Sequence, residues 1–477
     1  MLWEIENTKP GGWLYDVTAS RRLSYQDIGD TVVSLEQVMK GNDKALVALV
    51  ADNSTSCLAC YLAALRCGHA VMLLNAFGDR GLRDGLLSLY QPEFLFIPQG
   101  NDIPEAYITD SECNGFICAV IKQSSQEKIH PDTAVLLPSS GTTGNPKLIR
   151  LSYRNIQSNA EAIASYLEIC ANETAITSLP FSYSYGFSVV NSHLFAGGNL
   201  VCTDLSVVTR QFWQLFKEFD CTSFAGVPYS YLTLERLRFE KMTLPSLRTM
   251  TQAGGHLAQE KVLQFAEMAK KNGIRFFVMY GQTEAAPRIA YVPWERLHEK
   301  AGSVGISIPG GLIRVSDEGK PNLAPNEEGE VIYEGPNVMM GYAENRKDLA
   351  KGDELGGVLS TGDIGYQDSE GYLFITGRLK RFIKIFGLRL NLDDVEKMLE
   401  AALALSVACV GRDDLLHLLI ESLHDKHAQE ARQKLSSLYH IHHSALKVHL
   451  TSSIPVTISG KKDYPTIERE LKLNERP

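Results

Sequence analysis

Leu136–Ile156 reads LLPSSGTTGNPKLIRLSYRNI, and this is the stretch that sets the fold class. An apolar run over Ala134–Leu137 predicts a strand, a loop rich in Ser, Thr and Gly follows from Ser139 to Lys147, and a helix is expected after it. A loop of this composition suits phosphate. Glycines let the backbone approach phosphate oxygens, hydroxyls and amide N–H groups donate to them, and Lys147 adds positive charge. The candidate contacts are Ser139, Ser140, Gly141, Thr142, Thr143, Gly144 and Lys147. It is not a Walker loop, because Leu148 follows Lys147 where Ser or Thr would stand and the glycine spacing differs.

Upstream, Ala45–Ile97 alternates the apolar runs ALVALVA, AVMLLN and FLFI with helical patterns, which predicts parallel strands joined by crossover helices. Downstream, Ala175–Tyr280 repeats that texture, with AITSL, NLVCT and RFFVMY as strands and TRQFWQLFKEF as an amphipathic helix. Between Ala301 and Ile375 the runs IRVSD, GEVIYEG and YLFITG are short and broken by Gly, Pro, Asn and Asp, as in a small antiparallel β unit. From Leu379 a basic strand-like stretch leads into an amphipathic helix with Val395, Met398 and Leu399 on one face. The expected fold is α/β: a large N-terminal domain of two doubly wound sheets plus a small β unit over residues 1–379, and a small α+β domain over 380–477. No low-complexity linker separates them, so any hinge must be short.

Composition narrows the function. At 477 residues, 44% apolar and 22% charged, the chain suits a soluble multidomain protein, and a net charge of -9 opposes nonspecific attraction to nucleic acid or anionic lipid. No apolar run approaches the ~18 residues of a spanning helix, and the first residues lack a basic flank and apolar core. A cytoplasmic location without membrane insertion is expected. Nine cysteines suit reduced thiols; Cys57 and Cys60 fall in a helical pattern with Leu58, Leu62 and Leu65, which reads as small buried residues. Seven of the twelve histidines fall between His417 and His449, where a solvated helix face or loop is expected and no metal site.

Four further stretches are TQAGGHL (Thr251–Leu257), VMYGQTEAA (Val278–Ala286), STGDIGYQDSEGYLFITGRLKR (Ser360–Arg381) and IPVTISGKKDYPTIER (Ile454–Arg469). With SSGTTGNPK they resemble, in order and over nearly the whole chain, the motifs of the adenylate-forming superfamily, which contains acyl- and aryl-CoA ligases, peptide-synthetase adenylation domains and firefly luciferase. The resemblance implies that Gly255 and His256 flank adenine, that Tyr280 stacks on it beside Gly281, and that Gly254 borders the acyl pocket. It implies that Thr283 contacts the α-phosphate and Glu284 binds Mg²⁺, a hard cation that takes oxygen ligands. Asp363 would accept from both ribose hydroxyls and Arg378 would contact ribose or phosphate. Lys461 would be the catalytic lysine, preferred over Lys462 because it directly follows Ser459 and Gly460. Lys380 would mark the hinge about which the C-terminal domain turns.

The acyl-pocket motif LPFSYSYGF departs from the family pattern. Tyr183 stands where many CoA ligases carry histidine, and Ser184 where amino-acid-activating domains carry an aspartate for the substrate ammonium. An α-amino acid is thereby disfavoured. No lysine or arginine is obviously placed there for a second carboxylate, and Ser182, Tyr183 and Ser184 would suit a short or hydroxylated acid. Tyr153 also stands where histidine is common, and the last domain is somewhat short. The implied function is an ATP- and Mg²⁺-dependent ligase that forms acyl-AMP from a small carboxylic acid and passes the acyl group to coenzyme A or to the phosphopantetheine of a separate acyl or peptidyl carrier protein. The rivals are an amino-acid-activating enzyme, a luciferase-like oxidative enzyme, and a nucleotide-binding or interaction protein of the same fold that has lost activity.

Overall fold

The computed structural model describes the chain except residues 9–10, 41–42, 114, 124, 126, 140–146, 318–319, 386–387, 413, 440–442, 458–459 and 472–477. The described residues pack into two compact units, one within Met1–Ile313 together with Tyr333–Leu359, the other from Arg314–Ile332 and from Ser360 onward.

The first unit contains the two expected sheets. Leu46–Ala51, Ala70–Asn75 and Phe94–Pro98 pair in parallel, and Thr55–Arg66 and Arg80–Tyr90 are the intervening helices. They belong to an eight-stranded sheet. Thr55–Arg66 starts at Ser54, whose side chain accepts from the Cys57 N–H, and every residue from Cys57 to Leu65 is buried. Cys57 and Cys60 are free thiols in that apolar surface, as the helical pattern implied.

The second sheet has nine strands, with Asn199–Cys202, Thr174–Ile176, Ser223–Gly226, Thr249–Gln252 and Arg275–Gly281 running in parallel. It is extended from the start of the chain: Trp13–Asp16 pairs in parallel with Asn199–Cys202, and Arg21–Ser24 pairs with Trp13–Asp16. One apolar cluster takes Leu49 and Leu137 from the first sheet and Leu14 and Leu200 from the second, so a single core joins both.

The loop after Thr133–Pro138 does not pass directly into a helix. Leu148–Ser152 intervenes as a fully buried strand antiparallel to Thr133–Pro138, and only then does the helix Tyr153–Leu167 begin, capped by Ser152 and Asn155. Leu148, Ile149 and Leu151 bury themselves in the core, and the buried Arg150 donates through Nη1 and Nη2 to Glu354 and to the Met340, Lys351 and Gly352 carbonyls.

The second unit holds most of the four-stranded sheet Leu312–Ser316, Gly329–Glu334, Val358–Gln367 and Leu373–Arg378, where a β unit was expected. After it come the hairpin Phe382–Ile385/Leu388–Asn391 and a three-stranded sheet of Val407–Arg412, Leu415–Glu421 and Leu446–Thr451. Val395 and Leu399, on the helix Leu392–Leu403, are buried against Cys409 and Leu418, and Met398 packs beside them. The histidines are not all solvated. His417 is buried in the strand Leu415–Glu421, and its ring stacks on His449 of the neighbouring strand, because that strand is covered on both faces from Leu416 to Ile420. His440 and His442 lie outside the described residues.

Candidate active site

In the first unit the site is built around a hairpin. Arg275–Gly281 pairs antiparallel with Arg288–Val292, with Gly281 opposite Arg288. A Cβ on Gly281 would fall 1.9 Å from the Pro287 carbonyl oxygen, so glycine is what lets the two strands come together there. The connecting 3-10 turn Thr283–Ala285 carries two of the expected residues. The Thr283 hydroxyl donates to the Ser184 hydroxyl oxygen at 3.0 Å, which ties the turn to the first residue of the helix Ser184–Ala196. Glu284 is held through its backbone carbonyl by the Met339 N–H at 2.8 Å and through Oε1 by the Tyr342 hydroxyl at 2.8 Å.

Lys147 joins the same constellation. The Ser139 N–H donates to the Lys147 carbonyl at 2.8 Å and so pins the neck of the loop, while Ser140, Gly141, Thr142, Thr143 and Gly144 lie outside the described residues. Leu148–Ser152 pairs antiparallel with Gly341–Ala343, and that register brings Lys147 Nζ into an ion pair with Glu344 and to 6.0 Å from the Tyr342 ring centroid. The loop cation and the acidic turn are therefore linked by direct contacts through Tyr342. Neither Tyr342 nor Glu344 carries a local sequence signal; only the long-range pairing places them here. Tyr342 is held as a phenol, its pKa raised by burial and then by the charge of Glu284.

Gly254 has φ +84° and stands so close to Tyr183 that a Cβ would lie 2.5 Å from its hydroxyl oxygen. Gly255 packs on Pro228, and its carbonyl accepts from Gln252 Nε2 at 2.9 Å. His256 is exposed and Tyr280 half-buried. The residues expected to hold acid, adenine and α-phosphate are thus carried by neighbouring strand ends of one sheet, the edge at which open α/β sheets bind ligands.

A small cavity of about 30 Å³ lies behind Tyr185, the residue after Ser184. Its wall contains Arg288, 2% exposed. The sequence concealed Arg288 because the residue lies outside the acyl-pocket motif and reaches the cavity only through the hairpin pairing.

In the second unit Asp363 and Arg378 sit opposite each other on paired strands, and Arg378 Nε donates to Asp363 Oδ1 at 3.1 Å. Asp363 is buried, whereas the Arg378 side chain is 62% exposed. Lys380 lies in the 3-10 turn Leu379–Arg381. Lys461 is exposed after Gly460, which has φ +75°. Among the described residues no group of three His, Cys, Asp or Glu could hold a metal, and no helix is long and apolar enough to cross a membrane.

The profile of the family described as AMP-binding enzyme matches residues 6–343. The chain belongs to this family. It is 33% identical over 284 residues to the probable 4-coumarate–CoA ligase 1 of Dictyostelium discoideum, a match covering 58% of this chain and 51% of that protein. The chain thus spans about half the length of the curated relatives that it matches in this way. It is 28% identical over 418 residues to the indoleacetate–CoA ligase of Aromatoleum aromaticum, covering 83% and 81% of the two chains. In structure it is similar to the o-succinylbenzoate CoA synthetase MenE of Bacillus subtilis in complex with the acyl-adenylate intermediate OSB-AMP, with TM-score 0.79, 20% identity, and 100% and 98% of the two chains covered. The adenylate-forming fold expected from the motifs is the fold observed.

Proposed function

We propose that this chain is an ATP-dependent carboxylic acid ligase that forms acyl-AMP and pyrophosphate and then transfers the acyl group to a thiol. The observation that carries this reading is the linked set Lys147, Tyr342, Glu284, Thr283 and Ser184, which brings together a cation, a carboxylate and hydroxyl groups suited to a triphosphate. The CoA-ligase names of the relatives support it.

In this reading the acid's carboxylate attacks the α-phosphorus as the bond to pyrophosphate breaks. Thr283 holds an α-phosphate oxygen, and Lys147 with the loop Ser139–Gly144 holds the β- and γ-phosphates. Gly255, His256, Tyr280 and Gly281 hold adenine, while Tyr183, Ser184 and Gly254 border the acid. Asp363, already paired with Arg378, accepts from the ribose hydroxyls. The ammonium of Lys461 offsets charge that builds up at the α-phosphate. Glu284, with no cluster of three His, Cys, Asp or Glu around it among the described residues, fits Mg²⁺ of the kind held by one carboxylate plus substrate phosphates, where the ion would neutralise phosphate charge. Residues 380–477 form the mobile domain, turning at Lys380, and coenzyme A is the acceptor, favoured over a carrier-protein phosphopantetheine. Nine free cysteines suit a reducing cytoplasm.

Pyrophosphate release across a panel of carboxylic acids, with the adenylate measured by mass, tests the reading. Release that requires both ATP and one class of acid is expected; none with any acid would overturn it.

A further inference from the structure

Glu284 is held by two separate attachments. Its backbone is fixed from one side: the Met339 N–H donates to the Glu284 carbonyl at 2.8 Å, and Asn337 Nδ2 donates to the Ala285 and Arg288 carbonyls at 2.6 and 2.8 Å. Its carboxylate has a different holder. The Tyr342 hydroxyl donates to Oε1 at 2.8 Å, and among the described residues no Lys or Arg pairs with Glu284 and nothing donates to Oε2.

Tyr342 can orient that carboxylate because its own place is set independently. The strand Gly341–Ala343 lies on the fully buried Leu148–Ser152, with Tyr342 opposite Ile149. Gly341 has φ +132°, and a Cβ there would fall 2.5 Å from Glu354 Oε2, so only glycine lets this strand seat against the Arg150–Glu354 pair. The phenol therefore projects from a rigid support. Its hydroxyl meets Glu284, while its ring centroid stands 6.0 Å from Lys147 Nζ, within reach of cation–π attraction.

The same pair of residue types serves a different end elsewhere in the chain. Tyr464 donates to Glu396 at 2.9 Å, but Glu396 is also ion-paired with Arg381 and Lys462, so its charge is already neutralised. Glu284 is half-buried, and its carboxylate has a neutral phenol as its one donor among the described residues. Its negative charge is left for a cation brought from outside. A carboxylate can accept a hydrogen bond on one oxygen and keep the other for a metal, and it serves a metal better when such a bond stops it from turning.

We propose that Tyr342 is a positioning residue for ATP and its Mg²⁺: the hydroxyl orients the Glu284 carboxylate and leaves Oε2 for the cation, and the ring backs Lys147. This rests on the ligase reading above and deepens it. The two halves of the side chain act on different partners, the hydroxyl on the metal and the ring on phosphate through the lysine. Asn337 and Met339 hold the turn in either case, so removing the hydroxyl loosens one side chain and not the fold.

Calorimetric binding of ATP without any acid, once with Mg²⁺ and once with a chelator, tests this without turnover. Tyr342→Phe, which removes only the hydroxyl, should lose ~10-fold in affinity for ATP with Mg²⁺, the scale for losing a group that orients a metal ligand, and nothing in chelator. Tyr342→Leu, which removes the ring as well, should also bind ATP more weakly in chelator. In a Glu284→Gln background the step from Tyr342 to Phe should no longer matter, because the two act as one unit. A Tyr342→Phe protein, folded by its thermal transition, that binds ATP with Mg²⁺ as the native protein does, or that loses the same factor in both conditions, would overturn the proposal and leave the ligase reading standing. So would a native protein whose ATP affinity ignores Mg²⁺. A native protein that binds no ATP overturns both. If Tyr342→Phe behaves as expected yet no acid yields pyrophosphate, the role of Tyr342 stands and the ligase reading falls.

Discussion

Lys462 Nζ donates to Glu396 Oε2 at 2.8 Å, to Glu400 Oε1 at 2.8 Å and to the Val407 carbonyl at 2.5 Å. Glu396 in turn accepts from Arg381 at 2.5 Å and from the Tyr464 hydroxyl at 2.9 Å. Burial alone would lower the pKa of Lys462, but the two carboxylates outweigh it and hold the ammonium above its ordinary value. Lys462 is thus the centre of a half-buried polar network, while the adjacent Lys461 is exposed.

The two lysines should separate cleanly by mutation. Lys462→Ala leaves Glu396 with Arg381 as its one remaining partner cation, strips Glu400 of its ammonium contact, and should cost about 2 kcal/mol of stability, read as a lowered Tm. Lys461→Ala should leave Tm unchanged and slow adenylate formation by ~100-fold. Parental acyl-AMP formation by Lys461→Ala, or a catalytic defect confined to Lys462→Ala, would sink the assignment.

Gly254 and Tyr183 offer a double-mutant test of the acid-binding wall. Gly254→Ala places a Cβ 2.5 Å from the Tyr183 hydroxyl oxygen and 3.1 Å from Val227 Cγ1, at φ +84°. A loss of ~10- to 100-fold in kcat/KM is expected, the equivalent of about 1–3 kcal/mol of crowding and backbone strain. Adding Tyr183→Phe removes the nearest atom and leaves the ring at 3.7 Å, so part of the activity should return. Full activity in Gly254→Ala would detach this contact from the reaction.

Much of this architecture was legible because it is local. Ala45–Ile97 alternates strand and helix patterns whose partners are neighbours in sequence, and the helix Leu392–Leu403 shows its apolar face directly. What escaped depends on distant pairings. Trp13–Asp16 becomes a strand only because Asn199–Cys202 offers it an edge, and Leu148–Ser152 is a strand between Thr133–Pro138 and Gly341–Ala343. The motifs named Thr283, Glu284 and Lys147, but Tyr342 and Glu344, which join them, and Arg288, which lines the cavity, carry no local periodicity that marks them.

Lys380 is flanked by two anchored arginines. Arg378 is bonded to Asp363 on the neighbouring strand, and Arg381 is bonded to Asp393, Glu396 and the Cys409 carbonyl. On the proposed hinge reading, rotation in this stretch would be concentrated in Leu379 and Lys380. Lys380→Pro fixes φ near roughly -65° and restricts Leu379 as well. The variant should form acyl-AMP on its first turnover yet transfer acyl to thiol at a greatly reduced rate; equal losses in both half-reactions, measured separately, would refute the hinge.

His417 gives the second unit an acid-sensitive core. Burial first, then His449, Lys447 and Arg412, push its pKa from 6.5 down to about 4, and its Nδ1 stands 3.1 Å from His449 Nε2. A folded pKa below the unfolded one means the neutral ring's stabilisation is present above pH 6.5 and is lost as pH falls toward 4. Tm should drop between neutral pH and about pH 5, and His417→Leu should flatten that drop relative to the native protein. Identical pH profiles for the two would remove His417 from the account.

If the loop binds phosphate as proposed, the ion pair of Lys147 with Glu344 is a placeholder. Its side chains are 45% and 62% exposed, and a pair so open to solvent is worth at most about 1 kcal/mol. An arriving phosphate would then meet a cation already paired and oriented, whose present counterion surrenders it at little cost. Glu344, once released, becomes a fixed negative charge beside the occupied loop and would hasten departure of pyrophosphate by repulsion. A single exposed glutamate can in this way keep the loop lysine ordered before nucleotide arrives and help to eject the product afterwards.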